Sequence, residues 1–108
     1  MAAPSIRFDQ HKQPIADQQT SSERWFSHKG GKTHSGFWSS EPGSLTLDFT
    51  DDQFELCTIL EGRVILTDIS GTVEIYSPGD TFIMPGGFKG VWESVSLVRK
   101  FYLTCNIS

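Results

Sequence analysis

The chain lacks most of the features that assign a protein to a class by composition. It has two cysteines, Cys57 and Cys105, and three histidines, His11, His28 and His34. No CxxC pair and no Cys–His cluster offers the ligand spacing of a structural zinc site. Basic residues never bunch: the densest group is Arg24, Lys29 and Lys32, and the net charge is −4. A nucleic-acid partner, whose footprint is clustered Lys and Arg, is therefore not expected. No apolar run nears the roughly 20 residues of a membrane-spanning helix. The opening MAAPSIRFDQHKQ also lacks the basic-then-apolar plan of a secretory signal. The expected location is the cytoplasm, with no membrane partner and with both cysteines as reduced thiols rather than a disulfide. Helical periodicity is missing as well, since no long stretch repeats apolar residues at i, i+3, i+4 and i+7.

What the chain does contain suits strands. Eight Phe, three Trp and two Tyr make 12% of the residues aromatic, and such side chains pack well on a pleated surface. A length of 108 residues suffices for one core and not for two. Residues 1–22 are polar, with Ile6, Phe8 and Ile15 as the apolar anchors. They read as an N-terminal arm, either an outer strand or a mobile one, ahead of a folded domain at residues 23–108. Residues 27–36, SHKGGKTHSG, read as a loop because paired glycines and small polar residues supply turns. From Phe37 onward, short strands alternate with turns about every ten residues, the spacing of a β-sandwich or barrel. Strands are expected near residues 37–38, 44–49, 54–60, 63–69, 72–76 and 81–84, with a long last one at 95–105. Turn chemistry lies between them at Glu41-Pro42-Gly43, Thr50-Asp51-Asp52, Glu61-Gly62, Ser70-Gly71, Pro78-Gly79-Asp80 and Pro85-Gly86-Gly87. With no helix to carry a crossover, the pairing should be antiparallel. The fold class is all-β.

Two stretches go further. FELCTILEGRVILTD (residues 54–68) and PGDTFIMPGGFKGVWE (residues 78–93) resemble the two sequence motifs of the cupin superfamily. In the first, Glu55 is followed by six residues and Gly62; in the second, Gly79 leads through five residues to Pro85 and then Gly87. Together with VRKFY (residues 98–102), these stretches look most like the subgroup related to (S)-ureidoglycine aminohydrolase and to EutQ-like small cupins. The resemblance spans residues 36–102 and implies an RmlC-like jelly-roll barrel of antiparallel strands with a ligand-sized interior. The motif glycines and Pro85 suit turns, close backbone approach and a strand end; they build the barrel and do no chemistry.

The departures from that pattern bear on function. Metal-binding cupins carry two His shortly before the motif-one Glu and another three residues after the motif-two Gly. Here the first pair falls within residues 49–52, which offer Asp51 and Asp52 and no imidazole, and the third position is Gly90. Of four expected ligands only Glu55 is present, whereas a transition-metal site usually needs three or four. No metal cofactor is expected. The aminohydrolase resembled is a manganese enzyme, so its activity does not carry over directly.

Residues that could act without a metal follow from strand alternation. Glu55, Cys57 and Ile59 share one face of their strand, and Val98, Lys100, Tyr102 and Thr104 share one face of the last. If both faces point inward, an acid and an amine converge, with Tyr102 beside them as the third candidate catalytic group. Trp38 and Trp92 would wall the pocket and Cys57 would border it. Competing readings stand next to each of these. Glu55 and Lys100 could form an internal ion pair with no ligand, or could face outward; Cys57 could be a packed thiol; the two Trp could be core. Asp51 and Asp52 suit a turn, as does Asp80, and His34 could approach the pocket from its loop. The leading expectation is a small-molecule-binding cupin, with an enzyme acting on a small nitrogenous or carboxylate metabolite as its catalytic form. The alternatives are a non-catalytic assembly domain and an aminohydrolase-like metalloenzyme using Glu55 with unconventional oxygen ligands. A homodimer is expected in either leading case, because a lone jelly roll leaves sheet edges to cover.

Overall fold

Strand-breaking residues set the limits of the sheets. The computed structural model describes residues 14–16, 20–28 and 32–107, with side chains from residue 32 onward. Ten strands occur among them: β1 Pro14–Ala16, β2 Thr20–His28, β3 Thr33–Ser40, β4 Gly43–Asp48, β5 Gln53–Glu61, β6 Val64–Asp68, β7 Val73–Tyr76, β8 Thr81–Met84, β9 Lys89–Ser94 and β10 Val98–Asn106. Of the N-terminal arm, residues 1–13 and 17–19, His11 included, lie outside the described residues. The glycine turns fall between strands as expected. Gly62, between β5 and β6, sits at φ 85°, and a Cβ there would collide with the Leu97 carbonyl oxygen. Only glycine fits that corner without displacing backbone.

Every pairing is antiparallel. One sheet runs β1-β2-β3-β10-β5-β8 and the other β4-β9-β6-β7, so the last strand is inserted between two early ones. This is an all-β jelly-roll arrangement of two antiparallel sheets, the architecture that the sequence resemblance implies. The inner faces enclose a core of Phe49, Cys57, Ile59, Val64, Leu66, Phe82, Met84, Trp92 and Val98. Burying one such large side chain is worth roughly 1.5–3 kcal/mol, so this cluster dominates the fold's stability. Both cysteines are free thiols.

Two sequence expectations need correction. The loop expected at residues 27–36 is narrower, because β2 continues to His28 and β3 begins at Thr33. Glycine and serine gave a loop signal there, yet the ladder to β10 carries Thr33, His34 and Ser35 as strand. The long last strand expected at 95–105 starts three residues later, as β10 at Val98, and a strand not expected from the sequence, β9, ends before it at Ser94. Val95 and Leu97 look like strand residues but lie exposed in the connection. The Gly-rich run before Lys89 concealed β9, whose partners β4 and β6 hold it in the middle of the smaller sheet.

Candidate functional site

The register of β3, β10 and β5 stacks inward-facing residues in rows. His34, Thr104, Glu55 and Met84 form one row across β3, β10, β5 and β8. Two residues along β10, Gly36, Tyr102 and Cys57 form the next, and Trp38, Lys100 and Ile59 the one beyond. Alternation alone places these side chains on one face. A bulge between Arg99 and Lys100 shifts the β10–β5 register just past the third row.

Between these rows and the facing sheet lies a cavity of about 310 Å³. Its polar wall is made by His34, Gln53, Glu55, Lys100, Tyr102 and Thr104, and its apolar wall by Trp38, Leu45, Leu47, Met84 and Trp92. The structure thus brings together five of the six residues singled out from sequence: Glu55, Lys100, Tyr102, Trp38 and Trp92. Cys57 does not line the cavity. It is fully buried behind Glu55, and its thiol donates to Glu55 Oε2 at 3.0 Å. Burial pushes that thiol's pKa far above its usual value; the Lys100 ammonium opposes the shift and the Glu55 carboxylate adds to it. A thiol kept protonated is a hydrogen-bond donor here, not a nucleophile.

The centre of the wall is an ion pair. Lys100 Nζ donates to Glu55 Oε2 at 2.6 Å, and Thr104 Oγ1 donates to the other oxygen at 3.4 Å. The ammonium also stands 4.8 Å from the Trp38 ring centroid and 4.3 Å from that of Trp92, within reach of both ring quadrupoles. The indoles meet nearly at right angles, 84°, with centroids 5.5 Å apart. Trp92 is fixed by donating Nε1–H to Ser94 Oγ at 3.0 Å and by packing on Phe82. His34 sits edge-on to Tyr102 at 5.8 Å, at the end of the cavity away from the tryptophans.

A metal does not fit this donor set. The carboxylate retained from the motif pattern already carries an ammonium on Oε2, where a metal ion would meet like charge. Asp51 and Asp52 are in the β4–β5 turn, where Thr50 Oγ1 donates to Asp52 Oδ1 at 2.6 Å, and neither lines the cavity. At Gly90 no side chain can be added in place, because a Cβ would strike the Thr67 carbonyl oxygen. Among the described residues, no three of His, Cys, Asp and Glu are grouped to hold an ion.

Gln53 and Met84 were not singled out from sequence. Gln53 continues the alternation of Glu55 and Cys57 by one step, a signal hidden by the adjoining Asp51-Asp52 turn. Met84 is placed only by the β5–β8 pairing.

The model of the EutQ-like cupin domain matches residues 27–102. The chain belongs to the EutQ-like cupin family. Solved structures place this EutQ-like cupin among proteins of varied description. A candidate ethanolamine utilization protein EutQ from Salmonella typhimurium superposes with a TM-score of 0.70 at 18% identity, over 82% of this chain and 71% of that one. Ectoine synthase from P. lautus gives 0.74 at 19% identity, over 98% and 76%. At these identities the likeness is one of fold alone. A DUF861-family protein from Thermotoga maritima is 32% identical over 61% of this chain and 73% of its own, with a TM-score of 0.57. No curated protein matches the chain in sequence.

A second hollow, about 360 Å³, lies on the outer face of the smaller sheet between Thr46, Asp48, Asp68, Ile69, Lys89 and Val91. Its ion pair, Lys89 Nζ to Asp48 Oδ1 at 2.6 Å, is open to solvent.

Proposed function

We propose that this EutQ-like cupin domain binds a small polar metabolite in the barrel cavity, recognised by the Lys100–Glu55 pair instead of a metal. The observation that carries this reading is the pair itself: two charges held almost out of solvent at the wall of an open cavity. An ion pair buried for stability alone gains little, since desolvation offsets the attraction, and a filled barrel would leave no space beside it. The cavity is at the small end for ligand pockets, which suits a molecule of a few heavy atoms carrying both N–H donors and an oxygen acceptor. Glu55 Oε1, which among the described residues accepts only a long bond from Thr104, is the natural acceptor for a ligand N–H. Lys100 has three N–H donors and can offer a carbonyl or carboxylate oxygen one of those not used by Glu55. Tyr102, His34 and Gln53 complete the polar end.

A second reading, an assembly domain that works as a homodimer, draws on exposed Ile69, Val73 and Ile75 at the smaller sheet and Ile83 at the edge of the larger one. The open cavity favours the first.

The test is a thermal-shift and calorimetric screen with acetate, acetamide, urea and glycine on the native protein and on Glu55→Gln. A compound that stabilises the native protein should bind the variant about tenfold or more weakly, the loss expected when a hydrogen bond to a charged group is weakened. Equal affinity for both proteins would remove Glu55 from the site.

A further inference from the structure

Lys100 sits in its surroundings the way a bound ligand would. Two indole faces at 84° to one another form a corner, the Glu55 carboxylate closes the third side, and the ammonium occupies the point where all three converge. Aromatic faces set around a position, with a carboxylate alongside, are the recognition chemistry of an alkylammonium ion. Each wall is held independently of the lysine. Ser94 fixes the Trp92 indole, Cys57 and Thr104 donate to the Glu55 carboxylate, and Trp38, on β3, packs at right angles against Trp92. The corner is therefore built by other residues and merely filled from β10.

We propose that Trp38, Trp92 and Glu55 form an organic-cation site which the chain occupies with its own Lys100, and that this tethered cation sets the ligand class of the cavity. An amine arriving from solvent finds Glu55 Oε2 and both aromatic faces already in use by a group held at high effective concentration. It also meets the ammonium's like charge. Neutral and anionic molecules meet no such competitor, and their oxygen atoms can accept from Lys100. Lys100 is thus a specificity determinant, turning away amines and admitting amides, ureas and carboxylates. The statement about ligand class rests on the cavity being a ligand site; the statement about the occupied corner does not.

The experiment empties the corner. In Lys100→Ala the deleted atoms correspond to n-propylammonium, so that ion is the probe, with tetramethylammonium as a second one. Both are titrated by calorimetry and thermal shift. Propylammonium at about ten times its Kd should raise the Tm of Lys100→Ala by roughly 5 °C or more. It should leave the native protein unmoved and lose its effect in Lys100→Ala/Glu55→Gln. Failure to bind a folded Lys100→Ala, or equal binding to the native protein, overturns the occupied corner. If Lys100→Ala does not fold, NMR of the native protein decides. The Lys100 ε-methylene protons should be shifted upfield by the two indole rings, and ordinary solvent-exposed lysine shifts would overturn the proposal. A native protein that binds none of acetate, acetamide or urea, beside a Lys100→Ala that binds propylammonium, would defeat the ligand-site reading and leave the corner standing.

Discussion

Two lysine–carboxylate pairs in this protein share a 2.6 Å contact and differ in almost everything else. Lys89 and Asp48 face each other across β9 and β4 on the outer surface, with side chains 52% and 71% exposed. Lys100 and Glu55 meet inside the barrel at 10% and 14%. In the outer pair, water screens both charges whether or not they touch, so contact changes little. In the inner pair neither charge can recover its hydration if the other is removed. Equal distance does not mean equal weight: the surroundings decide. The inner pair also has indole faces and a thiol around it, and these have no counterpart at the outer one.

The comparison can be broken most sharply at Lys100. Lys100→Met keeps the length of the side chain and strands the Glu55 carboxylate, and should cost about 3 kcal/mol in urea unfolding. A loss no greater than that of a surface substitution would place the inner pair with the outer one.

A smaller effect tests whether an exposed carboxylate can matter through geometry alone. In the β6–β7 turn Asp68 accepts from the Ser70 hydroxyl at 2.6 Å and from the Ser70 and Thr72 amides at 2.9 and 3.0 Å. The Ser70 hydroxyl bond first, then the Thr72 amide, hold its pKa below 3.8. A depressed folded-state pKa contributes stability that is present above the unfolded value and is lost as the pH falls through the folded one. Asp68→Asn should therefore be less stable than the native protein near neutrality, with the gap closing as the pH drops below 3.8. Urea midpoints at about pH 6 and pH 2.5 measure it; a gap that stays constant with pH would remove the charge from the explanation.

The smallest effect belongs to Lys89→Met, the outer counterpart of the Lys100 change. Its urea midpoint should match that of the native protein in both low and high salt. A clear, salt-dependent loss would show that the outer pair is not solvent-screened after all.

Which parts of this were legible in the sequence follows from the range of the interactions involved. Turns are local, so Ser70-Gly71, Glu61-Gly62 and Pro78-Gly79-Asp80 announced themselves, and with them the antiparallel all-β fold. Side-chain parity is local as well: Glu55 shares a face with Cys57, and Lys100 with Tyr102, whatever the rest of the chain does. Pairing is not local. Glu55 and Lys100 are 45 positions apart, and only the insertion of β10 between β3 and β5 makes them neighbours. Depth was equally hidden, which is why Cys57, on the same face as Glu55, falls behind the cavity wall rather than on it. The strand at Lys89–Ser94 was lost because Gly86, Gly87 and Gly90 look like chain breakers. Gly90 instead lets β9 lie close against β6.

That close approach has a consequence for how this barrel can change. Position 90 is where metal-binding cupins carry an imidazole, yet the Thr67 carbonyl oxygen occupies the space a first side-chain carbon would need. The missing group is therefore secured by backbone and not by a single codon. A lineage, or a designer, seeking to restore a coordinating residue there would have to re-lay the β6–β9 ladder before any ligand could be chosen.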